Sequence, residues 1–313
     1  MNRTFTTLIV AILTCAATSG CLSDSFTNQE DETSLLSPKW VKSDFWEYSV
    51  KTTNLEISTT MVVATDDDAT DYYVGAGSLE DAKRHAVLNH NPALGRVQMS
   101  DFAIYENNLP QTILDFPLKI SKSWTFSLYG VDDFTASVID IQNDVAEISA
   151  VGGDGARLTY SFSKEVRWFS SFEYVNENGE VILNMELANF GTGFTGNSYF
   201  CRGGDLYDKE FEGPDLEVYD TVYVSEGHQR YGNWNYILYY LEADIGSSGS
   251  GELTLKDQFG TELLFETFSP GNTRNDLGSV GGDSGNWTFE IALSGESYVR
   301  MRIAGAIQYT YAV

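Results

Sequence analysis

The sequence predicts a mainly β protein: an N-terminal curved antiparallel sheet, half-barrel-like, with one covering helix, followed by a C-terminal β-sandwich or jelly roll. Three observations carry this expectation. Hydrophobicity alternates with a period of two from Asp44 to about Leu187, as in strands with one buried face. The C-terminal third divides into short β-rich runs separated by glycine and serine, the habit of sandwiches. Only one stretch, opening at Ser78, carries helix signals. At 313 residues, 42% hydrophobic and 13% aromatic, the chain has apolar material for two cores.

Residues 1–20 read as an export signal rather than as fold. Met1-Asn2-Arg3 is a short basic start, Leu8 to Leu13 an apolar run, and Ala16 to Gly20 a small-residue cleavage region. The run is too short for a membrane-spanning helix. Residues 21–38 are polar, acidic and without period, which suits a tether.

Residues 39–188 form the expected curved domain. Trp46, Tyr48 and Val50 alternate with polar neighbours, and a second β-rich run covers Leu55 to Ala64. A meander follows, with Trp124-Phe126-Leu128, Thr135 to Ile141, Val145 to Val151 and Leu158-Tyr160-Phe162. Val166 to Tyr174 and Val181 to Leu187 flank Asn178-Gly179, a dipeptide that tolerates the positive φ of a type I′ hairpin turn. The helix begins at Ser78-Leu79-Glu80-Asp81, a capping box with acids in the first turn and Lys83, Arg84 and His85 later. Leu79, Ala82 and Ala86 share a face, and Asn91-Pro92 ends the pattern. Residues 189–213 carry Gly191, Gly193, Gly196, Gly203, Gly204 and Gly213, and read as a linker. The sandwich is expected over 214–313, with strands at Leu216–Val224, Asn235–Ile245, Glu252–Asp257, Glu262–Phe268, Trp287–Leu293 and Tyr298–Tyr311.

Cysteine usage sharpens the address. Cys15 leaves with the signal, and Cys21 directly follows Thr18-Ser19-Gly20. That junction resembles the lipobox of prokaryotic lipoproteins, and the resemblance implies a lipid on Cys21, a membrane anchor and a cell-surface or extracytoplasmic location. Thr18 departs from the large aliphatic residue common there, and plain cleavage after Gly20 is the alternative. With Cys21 acylated, Cys201 is left as a lone thiol. The Trp-x-aromatic-Ser pattern of Trp46-Glu47-Tyr48-Ser49 is echoed by Trp124-Thr125-Phe126-Ser127. The first region is similar in pattern to half-barrel envelope lipoproteins, and Gly285 to Ile291 resembles the closing strands of accessory β-sandwiches of secreted proteins.

With 45 acids against 19 bases and a net charge of -26, the surface repels phosphate backbones, so no nucleic-acid partner is expected. Asp66, Asp67 and Asp68 could chelate a hard cation but lack the layout of a calcium loop, so a solvated turn is favoured. His85 and His90, five apart, could ligate together only if the helix ended between them. No nucleophile elbow is present, no carboxylate pair stands out, and no cofactor motif occurs. Tyr231 and Trp234 lie in a turn among further aromatics, where they could stack on a sugar ring or partner. The expectation is a lipid-anchored, non-enzymatic surface protein that binds a glycan, lipid or protein. The alternatives are an extracellular hydrolase with an accessory sandwich, and a lipid or lipoprotein carrier using the hollow of a half-barrel.

Overall fold

Trp46, Tyr48 and Val50 point to one side of their strand, and all three are buried in the computed structural model of the chain. The structure describes residues 34–53, 55–65, 70–228 and 232–313. Cys21, Asp66, Asp67, Asp68 and Tyr231 lie outside the described residues. Strands β1 (Ser34–Leu35), β2 (Phe45–Thr52), β3 (Glu56–Thr65) and β4 (Asp71–Ala76) precede the helix α1 (Leu79–Leu88). Short strands β5 (Gly95–Gln98), β6 (Ile104–Glu106), β7 (Leu109–Gln111) and β8 (Leu118–Lys119) follow. The meander comprises β9 (Ser123–Leu128), β10 (Val131–Gln142), β11 (Val145–Val151), β12 (Arg157–Ser163), β13 (Trp168–Val175) and β14 (Val181–Gly191). The remainder is β15 (Asn197–Glu212), β16 (Leu216–Val224), β17 (Gly227–His228), β18 (Gly232–Asn233), β19 (Tyr236–Ile245), β20 (Ser250–Lys256), β21 (Glu262–Phe268), β22 (Thr273–Val280), β23 (Gly285–Ser294) and β24 (Ser297–Ala312).

Among the described residues the chain is mainly β, with one helix and open antiparallel sheets. The large sheet runs β22-β19-β24-β15-β4-β3-β2-β14-β13-β12-β11-β10-β9, and β5, β6 and β7 branch from β4. A second sheet, β16-β23-β20-β21, supplies the other layer of the sandwich. The interior of the curved part is filled with large rings: Trp40, Trp46, Trp168, Tyr160, Phe162 and Phe169 are fully buried. Several polar atoms of these buried rings bond where the chain turns into β13, while Trp168 Nε1 is buried without a partner among the described residues. Trp40 Nε1 donates to the Arg167 carbonyl at 2.9 Å, Trp46 Nε1 to that of Val166 at 2.8 Å, and Tyr48 Oη to that of Phe169 at 2.9 Å. Arg167 also closes a bidentate pair on the fully buried carboxylate of Asp44, with both N···O distances 2.8 Å. A planar fork matched to a carboxylate suits such a buried charge.

Two cores share three strands. Leu238, Tyr240, Ala304 and Ala306 pack into the core that includes the N-terminal strands and α1. Ile237, Leu241, Ala243, Val299, Met301 and Ile303, at positions of the other parity, pack into the sandwich core with Trp287, Phe289 and Ile291. Alternation thus makes β19 and β24 the middle layer of three. In β15 the parity inverts. Cys201 faces the first core, whereas Tyr207 and Phe211 face the second, because the register with β24 slips between Asp205 and Tyr207.

Three sequence expectations are corrected, and one strand is added. The segment 189–213 is not a linker: it holds the end of β14, a turn at Gly193 and Gly196 (φ 85° and 129°), and β15, which pairs with β24 from Asn197 to Glu212. Its glycines are there for close approach. A Cβ on Gly203 would collide with the Ala86 carbonyl oxygen of α1, and one on Gly204 would press on the Trp234 ring. The stretch 21–38 is not a free tether to its end, since Ser34–Leu35 pairs with β8 and Leu35 is buried. At Asn178-Gly179 only Gly179 takes positive φ (84°); Asn176 Oδ1 instead accepts the amides of Asn178 and Glu180, making an Asx-type turn. The polar edge strand β22 was not expected at all, being held by its ladder with β19 and not by an apolar pattern.

Candidate functional site

The strand β4 has one edge and two claimants for it. Residues Asp71–Val74 pair with β5, while Ala76 alone pairs with Tyr199 of β15. From that fork the β5–β7 arm and the β15–β24 ladder diverge, and the C-terminal end of α1 closes the back. Between them lies a half-open cleft of about 850 Å³.

Each wall follows from local sequence. Asn89 adopts the left-handed conformation (φ 47°) as the helix C-cap and turns the chain back toward β5. Gly95 has φ 114°, and its missing side chain leaves room for the Phe200 ring, which would lie 3.1 Å from a Cβ there. Asn107-Asn108, with φ 49° and 65°, forms the two-residue turn between β6 and β7 and puts both amides at the rim. Opposite, Phe200 and Tyr309 are cross-strand partners stacked at 5.9 Å, and Tyr311 approaches Tyr73 at 6.2 Å. Trp234 also lines the cleft, seated against Gly204 and Gly305, which face each other in the β15–β24 ladder.

Charges in the walls are mixed. The Arg96 guanidinium lies 4.1 Å from the Tyr105 ring centre and 3.6 Å from Asp71. Arg202 is a second cation of the lining. Burial raises the Glu106 carboxyl above its ordinary range; backbone N–H groups of Gly130 and Tyr129 oppose this, and the charge of Asp205 adds to it. Glu106 and Asp205 are thus two carboxylates of one cleft that sense each other.

Behind the wall lies a buried polar cluster. Because α1 ends at Leu88, His85 and His90 come together with rings perpendicular and 5.4 Å apart, although their spacing would separate them on an uninterrupted helix. Ser78 caps the Asp81 amide at 3.1 Å, as the sequence indicates. The Asp81 carboxylate, however, accepts from Thr59 Oγ1 and stands 3.4 Å from His90 Nε2, instead of reaching back to the cap. His85 contributes to the cleft wall, and burial, with the charge of His90, lowers its pKa to about 3. Among the described residues no three His, Cys, Asp or Glu side chains are placed to hold a metal ion.

Of the residues singled out from the sequence, Trp234 lies in the cleft, while Tyr231 and Asp66, Asp67 and Asp68 fall outside the described residues. Cys201 is a buried free thiol, and burial pushes its pKa up to about 11, so it is no activated nucleophile. Glu106, Asp205, Phe200, Tyr309 and the asparagines were not anticipated. The Asn107-Asn108 dipeptide between β-forming residues was the one local signal.

No family model matches the chain, and no curated protein does. Among solved structures, it is similar to a glycoside hydrolase family 43 arabinoxylan arabinofuranohydrolase from Bacillus subtilis in complex with cellotetraose, at 11% identity and TM-score 0.21, covering 80% of this chain and 66% of that one. It is also similar to the insecticidal delta-endotoxin Cry8Ea1 from Bacillus thuringiensis, at 6% and 0.21, covering 88% and 54%. A third is the infectious bursal disease virus VP2 subviral particle, at 8% and 0.18, covering 88% and 74%. The chain therefore spans less than two thirds of the hydrolase and about half of the toxin. Similarity at this level indicates neither a shared fold nor a shared activity.

Proposed function

We propose that this chain is a lipid-anchored, non-enzymatic binding protein of the cell surface, and that its binding site is the cleft at the β4 fork. The carrying observation is the cleft itself, a half-open space of about 850 Å³ whose walls combine ring faces with amides and charges. That volume lies within the roughly 300–1,000 Å³ of small-molecule sites. The filled interior of the curved sheet speaks against the carrier alternative, which needs a hollow. The anchor is supported by the basic start, apolar run and Gly20-Cys21 junction.

Two measurements test the halves separately. Wild type is expected to partition into detergent and Cys21→Ser into the aqueous phase; equal release of both removes the anchor. Ligand-observed NMR with a mixed library of saccharides, fatty acids and short peptides is expected to give hits that Tyr309→Ala loses. Hits unaffected by that change remove the cleft. The hydrolase alternative draws on one observation, the Glu106 and Asp205 carboxylates in a common cleft. It predicts release of new reducing ends from a polysaccharide, abolished in Glu106→Gln.

A further inference from the structure

We infer that the occupant of the cleft is a neutral carbohydrate chain, a reading that rests on the cleft being the binding site. The charge lining is balanced: Arg96, which is paired with Asp71, and Arg202 share the cleft with Glu106 and Asp205, while the chain as a whole carries -26. An anionic ligand meets net repulsion on approach, and a lining of two guanidiniums and two carboxylates gives a cationic one no net attraction inside the cleft. An uncharged, polar ligand is what remains. Lipid chains fit poorly, because the rim is made of amides and ionised groups whose desolvation would go uncompensated.

The hydrogen-bonding equipment narrows the class. Asn89, Asn107 and Asn108 all line the cleft, and none of their side chains has a hydrogen-bond partner among the described residues. Each amide offers a donor and an acceptor together, the complement of neighbouring hydroxyl groups that do the same. All three are held at positive φ, by a helix cap or a two-residue turn, so the Cα–Cβ bond from which each amide hangs is set by backbone geometry. Across the cleft, the stacked Phe200 and Tyr309 rings present broad apolar faces suited to the C–H face of a pyranose. Apolar faces on one wall and paired donor–acceptor groups on the other match the two chemical sides of a sugar ring.

The test is isothermal titration of the intact mature protein with maltotetraose, mannotetraose and N-acetylchitotetraose, and with tetra-alanine and laurate as non-carbohydrate probes. Variants are Tyr309→Ala, Asn108→Gly, which keeps the positive φ while deleting the amide, and Tyr219→Ala on the exposed face of the other sheet. Retained melting temperatures confirm that each is folded. At least one tetrasaccharide is expected to bind, about tenfold more weakly in the two cleft variants and unchanged in Tyr219→Ala. Saccharide binding indifferent to both cleft variants overturns the inference and the cleft reading together. Tetra-alanine or laurate binding that depends on Tyr309, with no saccharide bound, overturns the carbohydrate class and leaves the cleft standing. Absence of binding by every saccharide overturns the class as well.

Discussion

His85 should make the fold sensitive to mild acid. Its imidazole is buried beside His90, and burial first, with the His90 charge second, lowers its pKa from 6.5 to about 3, Asp81 pulling weakly the other way. Above pH 6.5 the ring is neutral in both folded and unfolded chains and contributes no pH dependence. Below that value the unfolded chain takes up a proton that the folded one refuses. Stability therefore falls as pH falls, by up to about 1.4 kcal/mol per pH unit, until the folded pKa is reached. Between pH 6.5 and about 4.5 the loss from this one group approaches roughly 3 kcal/mol, an upper figure because the fold can relax around the charge. His85→Gln removes the titration while keeping a polar side chain of similar reach. Urea unfolding of both proteins at about pH 7.5 and about pH 4.5 isolates the effect of His85 and its coupling to His90 and Asp81, since groups outside this cluster titrate alike in each. Wild type is expected to lose about 3 kcal/mol more than the variant. If both lose the same amount, His85 is not buried neutral and the account of the cluster behind the cleft is wrong.

Arg167→Met leaves the Asp44 carboxylate buried without its partner, and chemical denaturation should register a loss of about 3 kcal/mol or more. A cost below about 1 kcal/mol would mean that water reaches Asp44. Gly203→Ala drives a methyl group into the Ala86 carbonyl, against backbone that cannot swing aside, and should lower stability by about 1–3 kcal/mol; an unchanged melting temperature would contradict the packing of α1 on β15. Cys201 should react with a thiol reagent only on unfolding, and rapid labelling of the native protein at neutral pH would show that it is exposed. A fragment of residues 214–313 lacks β15, which supplies Tyr207 and Phe211 to the sandwich core and covers one edge of β24. It is expected to aggregate, and a soluble, cooperatively unfolding fragment would show that β15 is dispensable.

What the sequence displayed was whatever lay in local pattern. Strands β2, β11 and most of β10 and β12 bury one face and alternate, and the Ser78 cap is visible because its partner amide is three residues away. β15 was hidden because its buried parity inverts midway and its glycines answer to Ala86 and Trp234, distant in the chain. The cleft was hidden for the same reason: its walls come from residues 85–108, 200–205 and 309–311, which only the β4 fork brings together. Trp234 could be singled out as an aromatic in a turn, but not what it rests on.

The position of β24 also sets a timetable. It sits between β15 and β19 and lends alternate residues to both cores, yet it is made some eighty residues after β15 ends. Neither core is complete while residues 297–312 are still to come, and the sandwich core, which takes Val299, Met301 and Ile303 from β24, lacks most. A chain emerging from its ribosome, or threading through a membrane pore, would keep β15 and β19 apart with unpaired edges until that last strand arrives. Spatial centrality and late synthesis together leave the edges of β15 and β19 open to a chaperone or a protease until β24 is inserted.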